Sequence, residues 1–467
     1  MLLAPEDLKA VLEVALEGGG DFAEIFLERR RTTGITCEDN KIERVHSGLD
    51  QGAGIRVIRG ENTVYGYTNE ITRESLLETA REVGKAVGGR GTKPQIRWQQ
   101  PEPQWDFRVK KRPDGVPVEE KVALVRRANE AARAVDERIV QVSVAYGDVI
   151  QEVTIANSEG VLVEDERIRC RFMVNAVASN GKIIQTGYES AGGLMGLELF
   201  EENDPAELAK KAAERAVRML EARPAPAGRM TVVMAGEAGG TMIHEACGHG
   251  LEADLVQKQL SVYAGKKGQQ VASPLITVID DATIPGKYGS FRFDDEGRPG
   301  QRTVLIKDGI LQDYMYDYLT ARKEGRSSTG NGRRESYKDR PIPRMTNTFI
   351  APGRDDPQAI IRETPKGLLV KRMGGGQVNT TNGDFVFDVA EGYLIENGQV
   401  GPAVRGATLT GNGPEVLKMV DRVGSDLGFS LGTCGKDGQG VPVGDAQPTI
   451  RIPEMVVGGI LEEEGEN

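Results

Sequence analysis

One order of local patterns occurs twice in the first half of the chain, and a repeated helix, strand meander and helix can bury both copies in few ways. The first copy opens on "PEDLKAVLEVALEGG", where Pro5 suits a first turn and the glycines after Glu17 suit an end. The β-rich pieces "FAEIFLERR", "GAGIRVIRG" and "NTVYGYTN" follow. The helix "TRESLLETAREVGKAVGG" then has apolar residues at helical spacing and Thr72 as its expected N-cap. A polar, proline-containing connection runs from Arg90 to Pro117, and the order recurs. "VEEKVALVRRANEAARAV" reads as a helix, and "IVQVSVAYGD", "EVTIANSEGVLVED" and "RCRFMVNAVASNGKIIQTGYES" as strands turning at "NSEG" and "SNGK". "DPAELAKKAAERAVRMLEA" closes the copy as a helix opening on Asp204-Pro205. The pattern predicts an α/β layered domain with an internal pseudo-repeat.

The Pro/Ala/Gly break "EARPAPAGR" sets the expected boundary, with an N-terminal α+β domain over 1–225 and a C-terminal β-rich domain over 230–467. The second domain reads as mainly antiparallel sheet. Hairpins are expected across Asp308-Gly309 and Asn397-Gly398, and further strands at "MTVVMAG" and "PTIRIPEMVVGGI". "GPEVLKMVDRVGSDLG" reads as a helix and "SLGTCGKDGQGVPVGD" as a glycine-dense loop. The fold class is therefore α+β.

Charge narrows the function. Lys plus Arg is 59 against 70 Asp plus Glu, a net charge of −11, which argues against a binder of duplex nucleic acid. The opening segment has no basic n-region and reads as an amphipathic helix, not a signal peptide. No stretch approaches the roughly 20 apolar residues of a membrane span. Cys37, Cys170, Cys247 and Cys434 are far apart and form no C-x-x-C, so no disulfide framework is expected. The expected location is cytoplasmic.

The chemistry concentrates in "TMIHEACGHGLEAD". Of only three histidines, His244 and His249 sit here, with Glu245 beside the first; His46 belongs to the first domain. Two imidazoles with a carboxylate supply metal ligands and a general base for hydrolysis. The spacing is awkward, because residues i and i+5 lie about 140° apart on an α-helix and i and i+4 only about 40°. A π-type turn, or a helix that loosens at Gly248, would bring both rings to one side. Cys434 is a candidate third ligand, with Lys436 nearby to favour its thiolate. Cys247 is the alternative donor. Isolated structural histidines are the plainer assignment.

"HEACGHGLEAD" and "GTCGKDGQGVPVGDAQPTIRI" together resemble the TldD/PmbA family, specifically its TldD-type metalloprotease branch. "DDEGRPGQRTVLIKDGILQDYMYD", "NGRRESYKDRPIPRMTNTFI" and "GGGQVNTTNGDFVFDV" support the likeness, which is strong from about Thr231 to Ile452. The resemblance implies a Zn²⁺ peptidase with His244, His249 and Cys434 as ligands and Glu245 as the catalytic carboxylate. It also implies unfolded peptide substrates and a homologous TldE/PmbA-type subunit, in a heterodimer if not a homodimer.

The expected activity is then peptide hydrolysis by a zinc-activated water, with Glu245 as its base. Oxyanion donors are sought among the backbone of Gly374 to Gly376 or Gly432 to Gly435, with Arg344 and Tyr337 as side-chain alternatives. "GGGQVNTTNGDFVF" is the expected edge for an extended substrate. Two other readings compete: a non-catalytic peptide-binding scaffold with a structural zinc completed by Cys247, and a small-molecule amidohydrolase.

Overall fold

The computed structural model describes residues 2–91 and 94–460. Met1, Thr92 and Lys93 in the expected connection, and 461–467 at the end of the expected second domain, lie outside the described residues. Among the described residues, no helix is long and apolar enough to cross a membrane.

The first half forms one antiparallel sheet. Its strands are β1 (Phe22–Glu38), β2 (Lys41–Arg59), β3 (Asn62–Thr68), β4 (Ile139–Asn157), β5 (Leu162–Ser179) and β6 (Ile184–Gly193), in the order β3-β2-β1-β4-β5-β6. Two meanders thus meet back to back through β1 and β4, which pair from Glu24↔Asn157 to Glu38↔Ser143. Helices α1 (Pro5–Leu16) and α2 (Arg73–Val87) cover the first meander, and α3 (Val118–Arg133) and α5 (Pro205–Glu221), after the short α4 (Leu199–Glu202), the second. Local chemistry explains the ends. Thr72 Oγ1 accepts from Ser75 N–H, and Asp204 accepts from the N–H groups of Ala206 and Glu207.

Side chains alternate across a strand, so this sheet has two different faces. Ala23, Ile25 and Leu27 of β1 and Cys170, Phe172 and Val174 of β5 pack under the helices. The opposite face carries Glu24, Glu28, Arg56, Arg167 and Arg169, and it is buried too, against the second half of the chain. There Arg56 bonds Glu24 at 2.8 Å and Glu296 at 2.7 Å, Arg334 bonds Glu24 at 2.5 Å, and Arg167 bonds Asp295 at 2.5 Å. Buried charges persist only when paired in this way.

The second half runs through β7 (Arg223–Pro224), β8 (Gly228–Met234), the histidine segment, β9 (Val278–Asp281), β10 (Arg302–Lys307), β11 (Ile310–Leu311), β12 (Gly332–Arg333), β13 (Ile342–Pro343) and β14 (Asn347–Ile350). It continues through β15 (Lys366–Val378), β16 (Asp384–Glu396), β17 (Gln399–Arg405), β18 (Thr408–Asn412), β19 (Arg422–Val423), β20 (Gly428–Lys436), β21 (Gln439–Gln447) and β22 (Ile450–Gly458). One sheet has the order β11-β10-β9-β14-β21-β20. In the other, β15, β8, β22, β18 and β16 pair successively and β16 returns to β15, closing a ring. Most pairings are antiparallel; β14–β21, β15–β8 and β17–β7 are parallel. The histidine segment lies in the core shared by ring and sheet, where Met242, Ile243, Ala246 and Leu251 join Val232, Phe385, Val278 and Val443.

Two local expectations change. The helix over "GPEVLKMVDRVGSDLG" covers only Gly413–Met419, because Arg422 and Val423 pair with β22 instead. The glycine-dense loop around Cys434 is the hairpin β20–β21, turning at Asp437 and Gly438 with φ of 51° and 76°. Asp-Gly supplies the positive φ at both central residues that a two-residue hairpin turn requires.

Candidate metal centre

The spacing of the two histidines is resolved by the backbone. A turn of α-helix over Thr241–Ile243 passes into a π-helix over His244–Gly248 and then a 3₁₀ turn over His249–Leu251. The N–H of His249 donates to the carbonyl of His244, the i to i+5 bond that defines a π turn. The rings stand at 88° with centroids 5.1 Å apart. The helix changes type at Gly248, where the π turn gives way to the 3₁₀ turn, while Gly248 itself keeps helical φ and ψ of −54° and −58°. Gly248 serves close packing: a Cβ there would lie 2.1 Å from Met345 Sδ, and one at Gly250 2.8 Å from the Tyr263 ring.

Cys434 arrives from β20, a strand at the end of its sheet. Its Sγ lies 3.2 Å from His244 Nε2 and 3.4 Å from His249 Nε2. Tetrahedral bonds of about 2.0–2.1 Å to nitrogen and 2.3 Å to sulfur would set N and S roughly 3.5 Å apart, so the three donors fit one ion. Among the described residues, His244, His249 and Cys434 form the donor cluster that could hold it, all within 4.8 Å of one another. Exposed His46, on β2, takes no part. Cys247 does not join either; it is fully buried in the core beside Tyr263, and burial pushes its thiol up to about 12.

The surroundings prepare the donors electrostatically. Burial pushes the Cys434 thiol up, but hydrogen bonds and charge from His244 and His249 bring it down to about 5. Burial opposes a charge on His249, yet Glu252 and Cys434 raise it well above its ordinary value. Glu252 Oε2 lies 3.1 Å from His249 Nδ1. Glu252 is itself fully buried, and Lys436 and His249 outweigh that burial to hold it at about 2. Lys436 therefore acts one step back from the thiol, 3.1 Å from Glu252 and 2.7 Å from Asp254. Buried His244 Nδ1 has no hydrogen-bond partner among the described residues; Asp445, which accepts from Ser430 Oγ, is 3.9 Å away. Glu252 was missed in the sequence although it stands three residues after His249, on the same face of a helical turn.

Glu245, His244 and His249 open onto a cavity of about 700 Å³, with β20 residues Leu431 to Lys436, β6 residues Thr186 and Tyr188 to Ser190, and Arg372, Met373 and Val378 of β15. Burial raises Glu245, which makes its carboxylate a better base. Arg344 and Tyr337 stand elsewhere. Arg344 is buried and donates to the carbonyls of Cys434 and Gln439, and Tyr337 sits at the junction with β1 and β2. Gly432 and Gly435 line the cavity, whereas Gly374 to Gly376 do not.

Comparison with known proteins decides the family. Residues 23–87, 111–220 and 227–459 match the models of PmbA/TldA metallopeptidase domain 1, central domain and C-terminal domain. A protein of Haemophilus influenzae named metalloprotease TldD homolog is 38% identical over 98% of this chain and 97% of its own. The chain belongs to the PmbA/TldD metallopeptidase family. A PmbA/TldD relative from Methanothermobacter thermautotrophicus, named metalloprotease, is 39% identical over 95% of this chain and 97% of its own. The PmbA/TldD fold is shared with TldE from Thermococcus kodakarensis, at TM-score 0.77 and 20% identity over 97% of this chain and 100% of that one. A solved Thermotoga maritima structure matches at TM-score 0.80 and 24% identity over 97% of this chain and 99% of that one.

Proposed function

We propose that this PmbA/TldD member is a cytoplasmic zinc peptidase that hydrolyses unfolded or extended peptides, working with a homologous TldE-type subunit or a second copy of itself. The observation that carries the reading is the convergence of His244, His249 and Cys434 beside Glu245 on one wall of an open cavity. His244, His249 and Cys434 would hold Zn²⁺, which would supply a Lewis acid for the scissile carbonyl and the attacking water. Glu245 takes that water's proton and returns it to the leaving amine. Gly432 to Gly435 line the cavity, and their backbone N–H groups are the candidate donors for the developing oxyanion. Glu252 and Lys436 hold His249 in orientation.

An extended peptide has strand edges to add to. β20 has β21 on one side and the cavity on the other, and β15 beyond Val370 pairs with β16 but no longer with β8. Strand addition engages only backbone that is not already paired, so cleavage is confined to unfolded chains. The position of Cys247 in the core speaks against a closed four-ligand structural site. The test offers one polypeptide as a stable domain and as its unfolded variant to the zinc-loaded enzyme with its subunit partner. The cleavage rate is expected to follow the unfolded population. Glu245→Gln is expected to retain metal while losing at least about 10²-fold in rate, the contribution of a general base. Equal rates on both substrate forms, or full activity in Glu245→Gln, would sink the reading.

A further inference from the structure

A second cavity, of about 80 Å³, lies at the junction between the first sheet and the second half and shares no residue with the metal centre. Arg30 of β1 and Arg167 and Arg169 of β5 line it with Arg333 of β12 and Arg334. Asp295 and Glu335 are the carboxylates in its wall. Two of the guanidinium groups are neutralised locally: Arg167 pairs with Asp165 and Asp295, and Arg334 with Glu24. Arg169 and Arg333 are placed differently. Arg169 donates to the carbonyls of Tyr288 and Ser290, and Arg333 to those of Met345 and Pro442. They are only 8% and 4% exposed. Glu335 is exposed and spends Oε2 on the Gly440 N–H at 2.6 Å.

The crowding is felt by the groups themselves. Burial, with Arg167 beside it, brings Arg169 down to about 10. Burial, against the opposing charge of Asp295 and with Arg169, Arg344 and Arg167 nearby, brings Arg333 down to about 9. The Nε–H groups of Arg30 and Arg334 are buried with no partner among the described residues. Unsatisfied donors and incompletely compensated charge are costly to bury, and both occur around the same small space, where Asp295 faces the charges of Arg167, Arg169 and Arg333 together.

We propose that this cavity binds a small inorganic oxyanion, phosphate or sulfate, whose charge offsets Arg169 and Arg333. The space is several times the roughly 10–15 Å³ that a single water requires. Guanidinium groups suit a tetrahedral oxyanion because each presents two parallel N–H donors in one plane. The volume of about 80 Å³ suits a small ion. The anion also has a structural consequence. Arg333 holds the carbonyl of Pro442, which pairs with Thr433, the neighbour of Cys434. Anchoring Arg333 therefore braces the β20–β21 hairpin against the first sheet.

The test uses the full metal-loaded chain, titrated calorimetrically with sodium phosphate and sodium sulfate in chloride buffer at constant ionic strength, with parallel thermal unfolding. Saturable binding near one anion per chain is expected, with a rise in Tm of about 2–5 °C at saturation that chloride does not reproduce. Arg30→Met keeps the strand and the aliphatic stem, and Arg169→Lys keeps the charge but loses the fork. Each is expected to weaken the anion at least about 10-fold, as loss of a charge-assisted pair does. Phosphate and sulfate acting no differently from chloride would overturn the proposal. So would unchanged phosphate binding in both variants, which would place the anion elsewhere, at the metal for example.

Discussion

His249 reaches the candidate metal centre with its far nitrogen already engaged. Glu252 lies against Nδ1, so Nε2 is the nitrogen turned toward the Cys434 sulfur. Lys436 keeps Glu252 ionised, and an ionised carboxylate both fixes a ligand ring and raises its basicity. Glu252→Gln keeps the size and removes the charge. Zinc affinity, read by competition with a chromogenic chelator, is expected to fall roughly 10–100-fold with the fold retained. An unchanged affinity would leave Glu252 with a packing role alone. Cys434→Ser replaces a soft thiolate by a hard hydroxyl, so it is expected to lose more, to the point that less than one zinc per chain survives purification. His244, His249 and Glu245 stood out because histidine is rare in this chain and a carboxylate beside it is chemically loaded, whereas Cys434 was singled out as a ligand through the family resemblance. Glu252 and Lys436 were not read in these roles. In a chain rich in Asp, Glu, Lys and Arg, a single carboxylate or ammonium stands out only once its distance to a ligand is known.

The π turn is the element on which the site depends, and packing holds it. Gly248 passes so close to Met345, a fully buried residue, that there is no room for a methyl group. Gly248→Ala is expected to destabilise by about 1–3 kcal/mol, the usual range for overpacking. It is also expected to weaken zinc, because His249 follows directly. Shortening the obstructing side chain supplies the control. In a double-mutant cycle of Gly248→Ala with Met345→Ala, the combined cost is expected to fall below the sum of the single costs, since the second change makes room for the first. Strictly additive urea midpoints would show that the methyl finds space elsewhere. At this scale the sequence was readable where turn chemistry is strong. Asp308-Gly309 and Asn397-Gly398 both turn hairpins with positive φ at both residues. The same Asp-Gly signal at Asp437-Gly438 was masked by the surrounding glycines, which lower β propensity, so β20 and β21 read as loop.

Across the whole molecule, the two halves meet through charge. Alternation along β1 places Glu24 and Glu28 on what reads, in sequence, as a solvent face, and nothing in "FAEIFLERR" says that a second layer will cover it. The covering residues come from about 240 to 310 positions later in the chain, a separation over which local patterning carries no information. Glu28 makes the junction testable. It is 1% exposed, accepts from Gln151 Nε2 at 2.7 Å and from Tyr337 N–H at 2.9 Å, and burial raises its pKa above the ordinary 4.5 in spite of both bonds. A raised carboxylate holds its proton more tightly in the folded protein than in the unfolded chain. Its contribution to stability is therefore complete below the unfolded value and is lost as pH rises through the folded one. Glu28→Gln removes that titration and keeps the contacts, because the Gln151 amide can turn its oxygen to meet the new amide nitrogen. The urea midpoint of the variant is expected to rise relative to wild type between about pH 4 and pH 8, with the gap widening toward the alkaline end. A gap that is constant across this range would mean that the ionised carboxylate is accommodated at the junction without cost.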